Sequence, residues 1–211
     1  MKPRSYKISV EGDWSLEDFY IFSRTFEQIY YFSCSLRNSD DPFKRERIER
    51  TYAGFPWQGG YSSVNFFNSL KYIVDNPDRP KIISILYSSP GWIELSLLIA
   101  GALSVERLIS SVANSVLRMN SVYHEIVKGL QKRELLRLKV RQSELDLNRS
   151  ELAYIEECAQ TMCRLLGFQD INEVNQLTGS HYKTLKILLS VYRRVRILAG
   201  FHNKGKIKLP K

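Results

Sequence analysis

The sequence predicts an α+β protein that is predominantly helical, with a small α/β head of about two strands, long heptad-patterned helices and a basic helical C-terminus. Short β-type segments occur only before residue 90, a heptad repeat follows, and the excess of positive charge lies at the end. A chain of 211 residues with 44% hydrophobic content can bury a core without a metal or disulfide.

Changes in composition divide the chain into three regions. A small α+β head is predicted for residues 1–90, a long helical or coiled-coil region for 91–168, and a basic helix-turn-helix-like segment with a tail for 169–211. The first boundary follows the Ser-Pro-Gly sequence at 89–91, because proline and glycine interrupt regular structure there.

The head combines two strands with three helices. Residues 6–11 alternate in polarity, and residues 81–87 are rich in β-branched side chains, so both segments are predicted strands. Ser15 and Asp18 have the spacing of a capping box, and Pro42 follows Asp41 as proline does at a first helical position. Helices are therefore predicted at residues 15–36, 42–50 and 64–74.

A loop rich in glycine and aromatic residues connects the last two of these helices. Within residues 52–63, the side chains of Phe55, Trp57 and Tyr61 could contact a nucleic-acid base or a peptide. Folding of these aromatic side chains back over the core as a lid is the alternative, and it is the one we favour.

A heptad seam dominates the middle region. Its apolar residues step regularly by four and three, which is typical of a coiled coil or a long helix pair. We call these eight residues the seam: Val105, Ile109, Val112, Val116, Met119, Tyr123, Ile126 and Leu130. The seam predicts association between copies of the chain, and packing against the chain's own head is the alternative.

The heptad phase slips near Gly129 and resumes at Ile155. Two helices in an antiparallel hairpin and one long kinked helix both explain the slip. The most apolar stretch, residues 95–105, has eleven residues, whereas a membrane span needs about 20, so a buried core helix is expected there.

The excess of positive over negative charge is confined to the last part of the chain. The formal net charge is +9, and residues 181–211 contain nine Lys or Arg and no acid, so the preceding 180 residues are balanced. Such a segment is typical of an arm that binds polyanions, and a solubilising tail is the alternative.

The same segment resembles a helix-turn-helix. Asp170 and Ser180 are candidate caps of two helices, and Gly179 lies at the turn between them. The resemblance to that family rests on Val174, Gly179, Leu185 and Leu188, and Asn175, Thr178 and Ser180 depart from the family's pattern. It would imply a DNA-reading second helix.

The second helix of this segment is predicted to be amphipathic, with its basic residues opposite an apolar stripe. Such a helix suits contacts with nucleic-acid phosphates, an anionic membrane surface or an acidic protein. The candidate polyanion-binding residues are Lys183, Lys186, Arg193, Arg194, Arg196, Lys204, Lys206 and Lys208.

Motifs of common enzymes are missing from the sequence. It contains no P-loop, no dinucleotide-binding or nucleophile-elbow motif and no zinc-protease motif, and its three histidines lack metal-ligand spacing. The three cysteines show no paired spacing and are expected to be reduced thiols of a cytoplasmic protein. We therefore expect no catalysis, no cofactor, no metal and no small-molecule substrate.

These observations predict a non-catalytic, homo-oligomeric scaffold or adaptor protein. The seam would carry self-association, and the basic C-terminal helix would engage a polyanion or an acidic partner. A helix-turn-helix nucleic-acid-binding protein is the first alternative, and a protein that binds anionic membrane surfaces is the second.

Overall fold

The computed structural model describes residues 4–37, 39–54, 60–88, 90–135 and 147–210, which form a four-stranded antiparallel sheet and eight helices. The strands are β1 (Arg4–Val10), β2 (Lys81–Leu86), β3 (Gly91–Leu97) and β4 (Ile207–Lys208). The helices are α1 (Leu16–Ser35), α2 (Pro42–Gly54), α3 (Gly60–Leu70), α4 (Ile99–Asn114), α5 (Val116–Lys132), α6 (Arg149–Leu165), α7 (Asn172–Thr178) and α8 (His181–Asn203). The predicted α+β class with predominant helix is confirmed.

The sheet has the strand order β2-β3-β1-β4. Alternation along β1 and β3 sends one set of side chains to the helices, because successive residues of a strand face opposite sides. The buried set is Tyr6, Ile8, Val10, Ile93, Leu95 and Leu97. Strands from all three sequence regions thus share one sheet, and its buried face joins the same core as the helices.

Strand β3 corrects the expectation of a core helix over residues 95–105. Residues 91–97 form a strand that pairs with β1 and β2, and α4 begins only at Ile99. Ile93, Leu95 and Leu97 alternate with Glu94 and Ser96, and this period of two is typical of a strand. Residues 1–90 therefore contain the two strands expected of the head, but the sheet gains β3 from the middle region and β4 from the C-terminal segment, and the two-residue β4 is too short to leave a sequence signal.

Helix α1 begins as the capping box predicts. The Asp18 amide donates to Ser15 Oγ at 3.0 Å, and the Ser15 amide donates to Asp18 Oδ2 at 3.2 Å. Farther along α1, the buried Tyr30 hydroxyl donates to the Asp78 carbonyl at 2.7 Å and accepts from the Leu98 amide at 2.9 Å. Tyr30 thus connects α1 to the turn before β2 and to the start of α4.

Helix α8 lies at the centre of the helical layer. It contacts α1, α4 and α6, and thirteen of its residues are buried. A surface helix buries only one stripe, whereas these buried residues surround most of the helix circumference. Helices α1, α4 and α6 are therefore arranged around a segment that lies late in the sequence.

Helices α5 and α6 lie side by side near the phase slip. The Arg133 guanidinium at the end of α5 covers the Tyr154 ring of α6 at 3.9 Å. This contact and the packing of both α4 and α6 on α8 fit the hairpin interpretation rather than one rod. Much of the charged stretch between the helices lies outside the described residues.

Candidate interaction surfaces

The seam lies in the interior of one chain. Six of its residues, Val105, Ile109, Val112, Met119, Ile126 and Leu130, are at most 5% exposed. Val116 and Tyr123 are half-buried. Ser115 leaves the helical conformation with a φ of −137°, so the seam is divided between α4 and α5. These side chains pack on the chain's own helices, as in the alternative interpretation of the heptads.

The α5 part of the seam contacts α8. The Tyr123 and Tyr192 rings lie 5.1 Å apart, and the Tyr192 hydroxyl donates to Asn120 Oδ1 at 2.6 Å. Helix α5 is thereby attached to the central helix through an aromatic contact and a hydrogen bond. A second copy of the chain would have to displace α8 to reach the seam.

The basic residues of α8 do not form the single exposed face expected from the sequence. Lys183 Nζ donates to the Ala53 carbonyl at 2.7 Å, and Lys186 lies over the Tyr182 ring at 4.2 Å. Lys186 is half-buried, and this burial lowers its pKa to about 8. The predicted exposed face does not form because other helices cover α8 on several sides, and Lys183 and Lys186 therefore lie between elements.

Arg194 has a structural environment. Its Nε donates to Gln28 Oε1 at 2.8 Å, its Nη1 donates to the Ser190 carbonyl at 3.1 Å, and its guanidinium lies 3.8 Å from the Phe67 ring centre. Burial lowers its pKa to about 10, and the neighbouring cations Arg193 and Arg24 add to the shift. Arg194 therefore joins α8 to α1 and α3 rather than facing solvent.

The C-terminal tail is attached to the start of the chain by ion pairs. Lys206 Nζ lies 2.8 Å from Asp18 Oδ2, and Lys208 Nζ lies 2.5 Å from Glu11 Oε1. The hydrogen bond from Lys206 is the main cause that lowers the Asp18 pKa. These two lysines have acidic partners within the chain, which reduces the charge they offer to a polyanion.

Three predicted cations remain exposed without a carboxylate partner among the described residues: Arg193, Arg196 and Lys204. They fall within about 80° of arc at ~100° per residue of helix. Arg196 Nη1 donates to Asn120 Oδ1 at 3.2 Å, which holds it beside α5. We call these three residues the basic face of α8.

The helix-turn-helix outline is present in α7 and α8. Gly179 turns the chain with a φ of +65°, and Ser180 Oγ accepts from the Lys183 amide at 3.2 Å. A DNA-reading helix must expose its N-terminal part to enter the major groove. In α8 that part includes the buried residues Tyr182, Thr184 and Leu185, so groove insertion has no exposed helix face here.

The aromatic contact loop falls largely outside the described residues. Phe55 and Trp57 lie outside them, as does the side chain of Tyr61. Just before the loop, Tyr52 is fully buried, and its hydroxyl shares a hydrogen bond of 2.7 Å with Ser35. This contact belongs to the core.

The three cysteines are free thiols, of which Cys158 and Cys163 are buried and Cys34 is half-buried. Burial raises the pKa of both Cys34 and Cys163 to about 11. Because the thiolate is the nucleophile and the metal ligand, this shift disfavours reactive chemistry at these positions. Cys34 instead lies against α4, close to Gly101.

Strand β2 forms the surface that the sequence interpretation missed. All six of its residues are exposed, and its outer edge has no strand partner in the part of the chain that the structure describes. The exposed large apolar residues at this edge are Ile82, Ile83, Ile85, Leu86 and Tyr87, at 39% to 66% exposure. The β-branched composition predicted this strand correctly, but it gave no sign that the strand lies at an exposed edge.

A groove runs along this edge between β2 and α1. It has a volume of about 390 Å³, and Tyr20, Arg24, Pro80 and Ile82 lie along it with buried residues of β3 at its floor. Tyr20 is itself 58% exposed. Ile82 and Ile85 pair with the core-facing Leu95 and Ile93 of β3, so both point to the helix side of the sheet without helices covering them.

The described residues contain neither a metal-binding cluster nor a membrane-spanning helix. No three His, Cys, Asp or Glu side chains come together there in a way that could hold a metal ion. Among the same residues, none of the helices has the length and apolar character to cross a membrane. Comparison of the chain with known protein families, curated proteins and solved structures finds no match.

Proposed function

We propose that this chain is a non-catalytic scaffold or adaptor protein that self-associates by pairing its β2 strand with β2 of a second copy. The carrying observation is the exposed apolar edge of the sheet at residues 82–87. Natural sheets rarely leave such an edge open, since unpaired N–H and C=O groups next to apolar side chains invite another strand.

A second copy fits this edge by symmetry. The register irregularity between Ile82 and Ser84 puts Ile82 and Ile85 on the same helix-side face, although they are three residues apart. An antiparallel β2 pair that places Ile82 opposite Ile85 of the other copy brings these side chains together on that face. The four isoleucines would cover one another. Tyr20 and the apolar groove would lie beneath them in each copy.

The exposed area is also of the size that a dimer requires. The exposed parts of Tyr20, Tyr87 and the four aliphatic residues of β2 amount to roughly 600 Å², at ~200 Å² for each large side chain. A stable interface buries about 800 Å² per partner. The open hydrogen bonds of the strand edge add to this contact.

The test of pairing is the solution mass measured by light scattering at ~0.5 M salt, where charge attraction is largely screened. We expect the mass to be twice the 24.6 kDa of one chain. Ile82→Lys with Ile85→Lys is expected to give a folded monomer, because both positions are exposed and edge lysines oppose strand pairing.

A matched control variant distinguishes loss of the β2 contact from a general loss of exposed apolar surface. Tyr72→Lys with Leu117→Lys removes two exposed apolar side chains away from β2 and should leave the dimer intact. A wild-type mass of 24.6 kDa at all concentrations would refute self-association. A dimer that survives both lysines in β2 would place the interface elsewhere.

The basic face of α8 supports a second function, the binding of a polyanion or an acidic partner. Its three cations lie on one side of the helix end without a carboxylate partner among the described residues. Contacts of this type give affinity without sequence preference. Nucleic acid, an acidic protein and an anionic membrane surface share this chemistry.

The corresponding prediction concerns Arg193→Gln, Arg196→Gln and Lys204→Gln together. We expect the affinity for a labelled DNA duplex, measured by anisotropy at low salt, to fall at least tenfold, equally for unrelated sequences. Lys206→Gln with Lys208→Gln, whose charges are paired, should change it less. Wild-type binding to neither DNA nor anionic vesicles would contradict the proposal.

A further inference from the structure

A polar cleft joins the end of α1 to α2, α4 and α7. Its outer part has a volume of about 730 Å³ and lies between α2 and α7. A side chamber of about 120 Å³ lies between α1, α4 and residues 167–168. Leu36, Arg37 and Glu173 line both parts, so the chamber adjoins the cleft.

The hydroxyl of Ser33, at the chamber, lacks a hydrogen-bond partner in the described part of the chain. Ser33 is 4% exposed and is one of the residues that line the chamber, and its buried Oγ has no hydrogen-bond partner among the described residues. A buried hydroxyl without a partner is unfavourable and uncommon in native proteins. A polar group that enters the chamber would provide the missing partner.

Two arginines in the chamber wall are also without fixed partners. Neither Arg37 nor Arg107 uses its guanidinium in a hydrogen bond or ion pair with the rest of the described chain. Glu173 lines the chamber too, but its Oε1 accepts from the Gln169 and Asp170 amides at 3.1 and 3.3 Å. That carboxylate is therefore partly engaged by the backbone.

The outer cleft has the opposite character. Asp40, Glu49 and Asp170 line it, with Arg45 held by a hydrogen bond to the Ser39 carbonyl at 3.0 Å. Hydrogen bonds from Asn172 keep the pKa of Asp170 low, so this carboxylate is charged. The chamber thus offers a buried hydroxyl beside two exposed arginines, and the outer cleft offers carboxylates.

We propose that this cleft binds a small phosphorylated molecule that carries amino or hydroxyl groups. The phosphate would enter the chamber, where guanidinium groups and the Ser33 hydroxyl donate to its oxygens. The chamber of about 120 Å³ has the volume of roughly four waters at ~30 Å³ each, and a phosphate group has a similar number of oxygen atoms. The amino or hydroxyl groups would reach the carboxylates of the outer cleft.

The test uses inorganic phosphate as the probe and the full chain at constant ionic strength, balanced with chloride. We expect a saturable rise in Tm, half complete on the order of 1 mM for so small a ligand. Arg37→Gln with Arg107→Gln should abolish the rise. Arg118→Gln with Lys132→Gln, which removes the same charge away from the cleft, should retain it.

Ser33→Ala separates the chamber from general charge effects. Removal of a buried unpaired hydroxyl should raise the Tm in chloride alone and reduce the response to phosphate. A wild-type protein without a saturable response overturns the proposal. So does a response that Ser33→Ala and the cleft double variant both leave unchanged, because phosphate would then bind elsewhere.

Discussion

Ile109→Asp is expected to unfold the protein. Ile109 is fully buried on α4, which packs on both α1 and α8. An aspartate there leaves a carboxylate without solvent or a partner, and such substitutions cost at least about 4 kcal/mol. Since a domain is stable by only about 5–15 kcal/mol, we expect loss of the helical circular dichroism signal and of cooperative unfolding.

Leu117→Asp provides the control for this prediction. Leu117 is 83% exposed and lies in the same heptad region, so the free energy of unfolding should change by no more than about 0.5 kcal/mol. An Ile109→Asp protein that stays folded but has a smaller mass than the wild type would contradict the prediction. It would show that the seam lies between copies.

Arg194→Ala is expected to lower the free energy of unfolding by about 2–4 kcal/mol, as measured by urea titration. The substitution removes the donor to Gln28, which is only 9% exposed, and leaves its amide oxygen without that partner. It also removes a desolvated cation from the Phe67 ring, a contact worth about 2 kcal/mol.

Two variants test the stated cause. Arg194→Lys should recover less than half of the loss, because one ammonium group cannot replace a planar guanidinium that donates in two directions. Arg193→Ala, at an exposed neighbouring position, should change stability by no more than about 0.5 kcal/mol. An Arg194→Ala protein of normal stability that binds polyanions more weakly would instead support the role predicted from the sequence.

Local signals in the sequence predicted much of the secondary structure. The Ser15 capping box, the start of α2 at Pro42 and the turn at Gly179 are each decided by a few neighbouring residues. Strand β3 was missed because its apolar residues run directly into α4, and the two periods overlap in one stretch. Its pairing with β1 depends on residues almost ninety positions away, which no local pattern contains.

The interaction surfaces were harder to predict than the elements. The helical arc placed Lys186 and Arg194 opposite the predicted apolar stripe of α8, but their long aliphatic stems let them lie between helices. The composition of β2 predicted a strand, whereas its exposed edge follows from its end position in the sheet order. Such positions depend on tertiary packing, which periodicity does not encode.

The central place of α8 also affects how the chain folds. This helix comprises residues 181–203, and its contacts reach α1, more than 140 residues earlier, so much of the core has high contact order. At a synthesis rate of about 5–20 residues per second, the apolar faces of α1, α4 and α6 remain uncovered for several seconds or longer before α8 is complete. We infer that a nascent chain that ends before residue 181 exposes those faces and is a substrate for chaperones.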